Sequence, residues 1–369
     1  LTIGAGSANQ VSAGTISGTT PGSDITINVD DTATAGSIGQ IGTNIDTFQI
    51  QQSGGIAVTG TTTANTVTLT DTGDNKLIDF QGSATIGTLN TASEGYNVRF
   101  GGGGSITGGA TTFSNTGTLA ITGTSLSFEA GLTAIVPSTV SLGTTVTTSD
   151  PSAGISLGNA SPSRNVNLTG TAVINTSAAN GNISINGPIT NPALPTPARA
   201  LTLTAGTGTV TLNGTVGTGA NPLDSLTVTS ASTSIFRDNI TVSAAGTAFD
   251  VTSSAITLDG LAVSSTNGGN AATVTAISLT GPVSLASDDA SLSTNTGGIA
   301  ISSTINGNQD LTITAGTGAT KYPVAINGRI GGTSGAGNVL SLLSITGSTI
   351  DLNGIGSHTL PQNGVSGTI

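Results

Sequence analysis

Short runs in which apolar and hydroxyl residues alternate, each cut off by a turn signal, fill this chain from end to end. Ile25-Thr-Ile-Asn-Val29, Val67-Thr-Leu-Thr70 and Leu201-Thr-Leu-Thr204 are examples. A period of two places every apolar side chain of a run on one face of a β-strand. The runs stop at glycine or at pairs such as Asn186-Gly187, Asn213-Gly214, Asp259-Gly260, Asn306-Gly307, Asn327-Gly328 and Asn353-Gly354, which suit tight turns. No segment sustains a 3.6-residue apolar period, so an all-β fold is expected.

Asn-Gly between alternating runs is ordinarily a hairpin signal. Repetition argues for another arrangement. Leu201-Thr-Leu-Thr-Ala-Gly-Thr-Gly208 recurs as Leu311-Thr-Ile-Thr-Ala-Gly-Thr-Gly318, 110 residues later, and both copies run on into Asn-Gly and another apolar run. The second copy reaches Asn327-Gly328 later, as an insertion at Lys321-Tyr322-Pro323 requires. Val166-Asn-Leu-Thr-Gly170 matches Ile277-Ser-Leu-Thr-Gly281, and Ile183-Ser-Ile185 matches Ile299-Ala-Ile301. A long unit made only of short strands and turns fits several coils of a parallel β-helix, or β-solenoid, better than a closed sandwich. Coils of about 20 to 25 residues would number roughly 15 to 18. We expect one continuous solenoid over 1–369, with repeats at about 54–150 (divergent), 166–276 and 277–369, and a Pro-rich loop insertion at 188–198.

The composition is compatible with such a core. Of 369 residues, 35% are hydrophobic, 7% charged and 2% aromatic, with 55 Gly and no Cys, Met or Trp. A mean hydropathy of +0.22, with apolar residues gathered in runs, argues against disorder. The net charge of -11 and the seven scattered Lys and Arg disfavour nucleic acid and anionic lipid as partners, and no run is long enough to insert into a membrane. Without cysteine there is neither a disulfide framework nor a thiolate metal site, as suits a chain exported unfolded. Leu1-Thr2-Ile3-Gly4 shows no leader pattern, so any export signal is expected to lie outside this sequence.

The segment Arg199-Ala-Leu-Thr-Leu-Thr-Ala-Gly-Thr-Gly-Thr-Val-Thr-Leu-Asn-Gly-Thr-Val-Gly217, followed by Pro222-Leu-Asp-Ser-Leu-Thr-Val-Thr229, resembles the repeats of filamentous-haemagglutinin-like and autotransporter-like bacterial surface proteins. The resemblance is best over about 150–369. It implies a right-handed parallel β-helix serving as an adhesin, biofilm component or surface fibre, secreted to the bacterial cell surface. No two-partner secretion domain and no anchoring barrel pattern is recognisable.

Candidate sites are few. The acidic pairs Asp30-Asp31 and Asp288-Asp289 sit beside turn formers with no base nearby, and read as turns rather than as catalytic acids. His358, between Ser357 and Thr359, lacks the context of a triad. Asp71, Asp74 and Asn75 offer oxygen ligands suited to calcium, but neither an EF-hand nor a β-roll spacing, so an Asx turn is the plainer reading. Leu360-Pro-Gln-Asn-Gly364 has the outline of a sorting signal without the apolar tail. Gly101 to Gly104 reads as a flexible loop, because a phosphate loop needs a helix and a lysine. A flat ice-binding array of outward Thr is disfavoured by the irregular run lengths. No cofactor is implied.

The expected function is therefore structural and not enzymatic: a segment of an extracellular fibre whose partner is itself, coils stacking end to end through strands near Leu1, Ile3, Val365 and Ile369, since no capping element is visible. An adhesin stalk is the alternative, presenting Tyr96, Arg99, Phe100 and Tyr322 from loops to a host receptor, glycan or matrix component. A polysaccharide-active enzyme is the third reading.

Overall fold

The computed structural model describes residues 1–7, 9–191, 197–266, 274–331 and 339–355. Among these no residue is helical, and thus no helix is long and apolar enough to cross a membrane. The strands pair in parallel and stack as a β-solenoid of about 14 turns. The Asn-Gly pairs are corners between faces, not hairpin tips; the one antiparallel contact among the described residues is an isolated bridge between Asn159 and Arg164. The chain divides into two compact units, Leu1–Gly181 and Asn182–Ile369.

Each turn of the first unit has three faces. On the first face an inward ladder runs Ile38, Val58, Phe80, Phe100, Ile121, Leu142, Leu168, each residue in register with the next. The second face carries Thr62, Ala84, Gly104, Leu126 and Val146. The third carries Ile27, Ile50 and Leu69 early in the unit, then Leu132 and Ile155. Some strands pass a corner unbroken: Ala84–Thr91 serves the second and third faces, and one turn later Gly104–Ile106 and Thr111–Thr112 replace it, separated by Gly108 and Gly109. The ladder repeats every 21 residues along Val98, Leu119 and Val140, then takes 26 to reach Val166, because the connections at 148–154 and 158–164 are longer than those of the turn before. Insertions of this kind bring the number of turns below the sequence expectation.

The corner between the first and second faces is built from glycine. Gly39, Gly60, Gly82, Gly102 and Gly123 follow one another up successive turns, and a Cβ on any of the last four would lie 2.1 to 2.4 Å from backbone of the turn before. The four-glycine run at Gly101 to Gly104 is part of this column, not the flexible loop expected from sequence. The interior is mainly apolar, with a few buried hydroxyl and amide side chains such as Thr62 and Asn115, and Phe80, Phe100, Phe113 and Phe128 form a run with ring centroids 5.1, 6.3 and 6.1 Å apart.

The second unit has its own three ladders. One runs Leu201, Leu226, Phe249, Ile277, Ile299, Val324, Ile350. The next runs Leu212, Phe236, Leu258, Leu285, and the last Ile240, Val263, Leu292, Ile313, Ile345. The two copies of the repeated octapeptide fall on different ladders: Leu201 is on the first, whereas Leu311, paired with Ala290 and Leu343, is on the last. Ile183, paired with Val210, and its counterpart Ile299 are likewise on different ladders. The 110-residue spacing thus covers four turns and two further faces. Within the expected 188–198 loop, Ile189 is buried and bridges Val216, so this part belongs to a turn; residues 192–196 lie outside the described residues.

Replacing Gly82 by Val forces a side chain into the preceding turn and should cost at least about 2 kcal/mol, whereas Gly109→Ala, exposed and with nothing within 4 Å, should stay within about 0.5 kcal/mol of wild type. Denaturant unfolding of both variants checks this; equal effects would refute the packed corner.

Candidate functional site

All seven Phe and both Tyr are buried. This overturns the expected presentation of Tyr96, Phe100 and Tyr322 to a ligand: their rings are in the core, where burial of 150 Å² or more of aromatic surface each stabilises the turns. Tyr96 is anchored from within, its hydroxyl donating to Leu69 O at 2.9 Å and accepting from Ala92 N–H at 3.0 Å. Burial, reinforced by the charges of Glu94 and Asp71, pushes the phenol up from its ordinary value. No aromatic face is left for stacking on a sugar or base.

Arg99 is also committed. It stands in register with Asp79 on the preceding turn and grips it with two bonds, Nε to Oδ1 at 2.7 Å and Nη2 to Oδ2 at 2.5 Å. Asp79 points outward between Ile78 and Phe80, yet is only 4% exposed, and Gln81 Nε2 donates to its Oδ2 at 2.8 Å. The hydrogen bonds it donates to Asp79 raise the Arg99 guanidinium above its ordinary value. Sequence reading missed Asp79 because nothing in its immediate context marks a buried acid; the signal is an Arg one turn later.

A second polar column marks a corner of the second unit. Asn213 Nδ2 donates to Asn186 Oδ1 at 2.8 Å, Arg237 Nη1 to Asn213 Oδ1 at 2.7 Å, and Arg237 Nε lies 3.5 Å from Asp259 Oδ2. The N–H of Ser287 then bonds Asp259 Oδ1 at 3.0 Å and, ahead of Arg237, holds that carboxyl below the usual range.

The acids picked out by sequence are turn residues. Asp30 Oδ1 accepts from Thr32 N–H and Oγ1, and Asp289 Oδ1 accepts from Asp310 N–H at 2.9 Å. Among the described residues no three His, Cys, Asp or Glu gather to hold a metal ion; of the oxygen-bearing candidates Asp71, Asp74 and Asn75, Asn75 has φ +62°, as its tight turn requires. Leu1 is 71% exposed, Ile3 pairs with Ile27, and the strand Thr2–Ser7 is paired on one side. Val365, Ile369, His358 and residues 360–364 lie outside the described residues.

A groove of about 470 Å³ lies in the first unit at the corner between the third and first faces, lined by Asp74, Asn75, Ser93, Glu94, Gly95, Asn97, Thr116, Gly117, Thr118 and Ser138. Four successive turns contribute. Gly95 and Gly117 form its floor: a Cβ on either would lie 2.1 Å from Asp74 Oδ1 or from Tyr96 O. Only Asp74 and Asn75 of this set were singled out from sequence. The steps from Asp74 to Glu94, Thr116 and Ser138 follow the coil length, a signal visible only once that length is known.

Comparison with known proteins returns no family model, no curated protein and no solved structure that matches this chain.

The Arg99–Asp79 pair should behave as a coupled unit. Arg99→Ala leaves a buried carboxylate without its cation and should cost about 1 to 3 kcal/mol, and adding Asp79→Ala should recover part of that loss. Additive single and double variants in denaturant unfolding would show that the two groups do not depend on each other.

Proposed function

We propose that this chain is a non-catalytic structural segment of a bacterial extracellular or cell-surface fibre, a stalk whose coils stack end to end. The observation that carries the reading is the division of labour across each strand. Inward positions hold mainly apolar ladders, while outward positions hold mostly hydroxyl and amide groups, many of them bonded from turn to turn, as Thr204 Oγ1 is to Thr229 Oγ1 at 2.6 Å and Asn65 Nδ2 to Asp46 Oδ1 at 2.8 Å. Such a chain is stabilised by its neighbouring turns rather than by a closed core, and further turns extend it by the same contacts. The resemblance of residues 199–229 to surface-protein repeats supports the same reading, as does a chain in which only 7% of residues are charged.

The adhesin alternative loses its aromatic candidates to the core, so any receptor contact would rest on polar groups. An enzymatic reading would be reinstated by turnover of pectin, alginate or a similar polymer. Negative-stain electron microscopy over a concentration series tests the main proposal. Uniform fibres that lengthen with concentration are expected, and particles that stay discrete and monomeric at the highest concentration would overturn end-to-end stacking.

A further inference from the structure

The groove over Gly95 and Gly117 has a chemical bias that goes beyond a stalk's needs. Half of the side-chain hydroxyl and amide protons along its walls are spent inside the corner. Thr116 Oγ1 donates to Glu94 O at 3.2 Å, Ser138 Oγ to Gly117 O at 3.1 Å, Thr118 Oγ1 to Asn97 Oδ1 at 2.9 Å, and Asn97 Nδ2 to Asn75 O at 2.9 Å. Each of these hydroxyl oxygens keeps acceptor capacity. The carboxylates of Asp74 and Glu94, both exposed, accept no hydrogen bond. The side-chain donors left over are the amide of Asn75, the hydroxyl of Ser93 and the second amide proton of Asn97. Lys76, the nearest base in sequence, does not line the groove.

A groove whose charged groups are two exposed carboxylates selects a ligand with positive charge. Guanidinium and ammonium groups are donors only, and they gain from both carboxylates at once. A neutral glycan would find no aromatic ring to stack on, and an anionic one would be repelled. The groove crosses four turns, so it extends about 14 Å along the stack at the spacing of neighbouring strands, the reach of roughly four extended residues. We propose that it docks an extended basic peptide, a segment of another protein carrying lysine or arginine side chains, which Asp74 and Glu94 engage above the bare backbone of Gly95 and Gly117.

The test uses the full chain and a fluorescent hexa-arginine peptide, with binding followed by anisotropy. Asp74→Asn with Glu94→Gln should weaken binding about tenfold or more, whereas Asp30→Asn with Asp31→Asn, the same charge change outside the groove, should weaken it less than about twofold. Thr116→Val, which removes one acceptor and no charge, should also weaken it, and circular dichroism of each variant verifies the fold. Amide exchange at Gly95 and Gly117 should slow on binding. Equal losses in the two double variants would reduce the interaction to general attraction by an acidic protein and overturn the proposal, as would absence of binding. Neither result bears on fibre formation, which is read separately by microscopy.

Discussion

Everything in this structure depends on one requirement, that the backbone of each turn lie one strand spacing from the next around its whole circuit. Along the faces this is achieved by parallel hydrogen bonding in register. At the corners the chain must bend without moving away from its neighbour, and a side chain directed along the stack would prevent that. The glycine column from Gly39 to Gly123 is the outcome. The high glycine content, which by itself resembles that of a disordered chain, is in large part a packing requirement of an ordered one.

Close stacking also decides what happens to polar groups. A side chain leaving the outer surface has a like-placed neighbour one turn away, so hydroxyl, amide and charged groups find partners in columns. The bidentate hold of Arg99 on Asp79 is one instance, and the run through Asn186, Asn213, Arg237 and Asp259 is another. The groove over Gly95 and Gly117 arises from the same geometry with the opposite result. Half of its side-chain donors are taken up by oxygens of adjacent turns, and the carboxylates of Asp74 and Glu94 remain facing water.

The all-β class and the parallel coil were legible because alternation of period two and regular turn residues are local signals. The inward residues of the runs could be read off directly, as Ile25, Ile27 and Val29 show. What could not be read is anything that depends on which turn lies above which. Tyr96 immediately precedes, and Phe100 ends, a strand whose inward side is fixed by its pairing with Leu77–Phe80 and Thr118–Ile121 on the adjacent turns, so sequence assigned them to a loop. Asp79 was overlooked for the same reason, since its partner is 20 residues away. The groove residues, too, are brought together by coil length, and insertions vary that length from turn to turn.

The two octapeptide copies on different ladders of the second unit carry an evolutionary consequence. The faces of a three-sided coil make nearly the same demands on a strand and its turn, so a duplicated stretch need not be a whole number of turns to be accommodated. Duplication can therefore rotate the pattern of outward residues about the axis while the core is kept, shifting the phase of the surface relative to the scaffold. A lineage of such chains would change what it displays in each direction without having to invent a new interior.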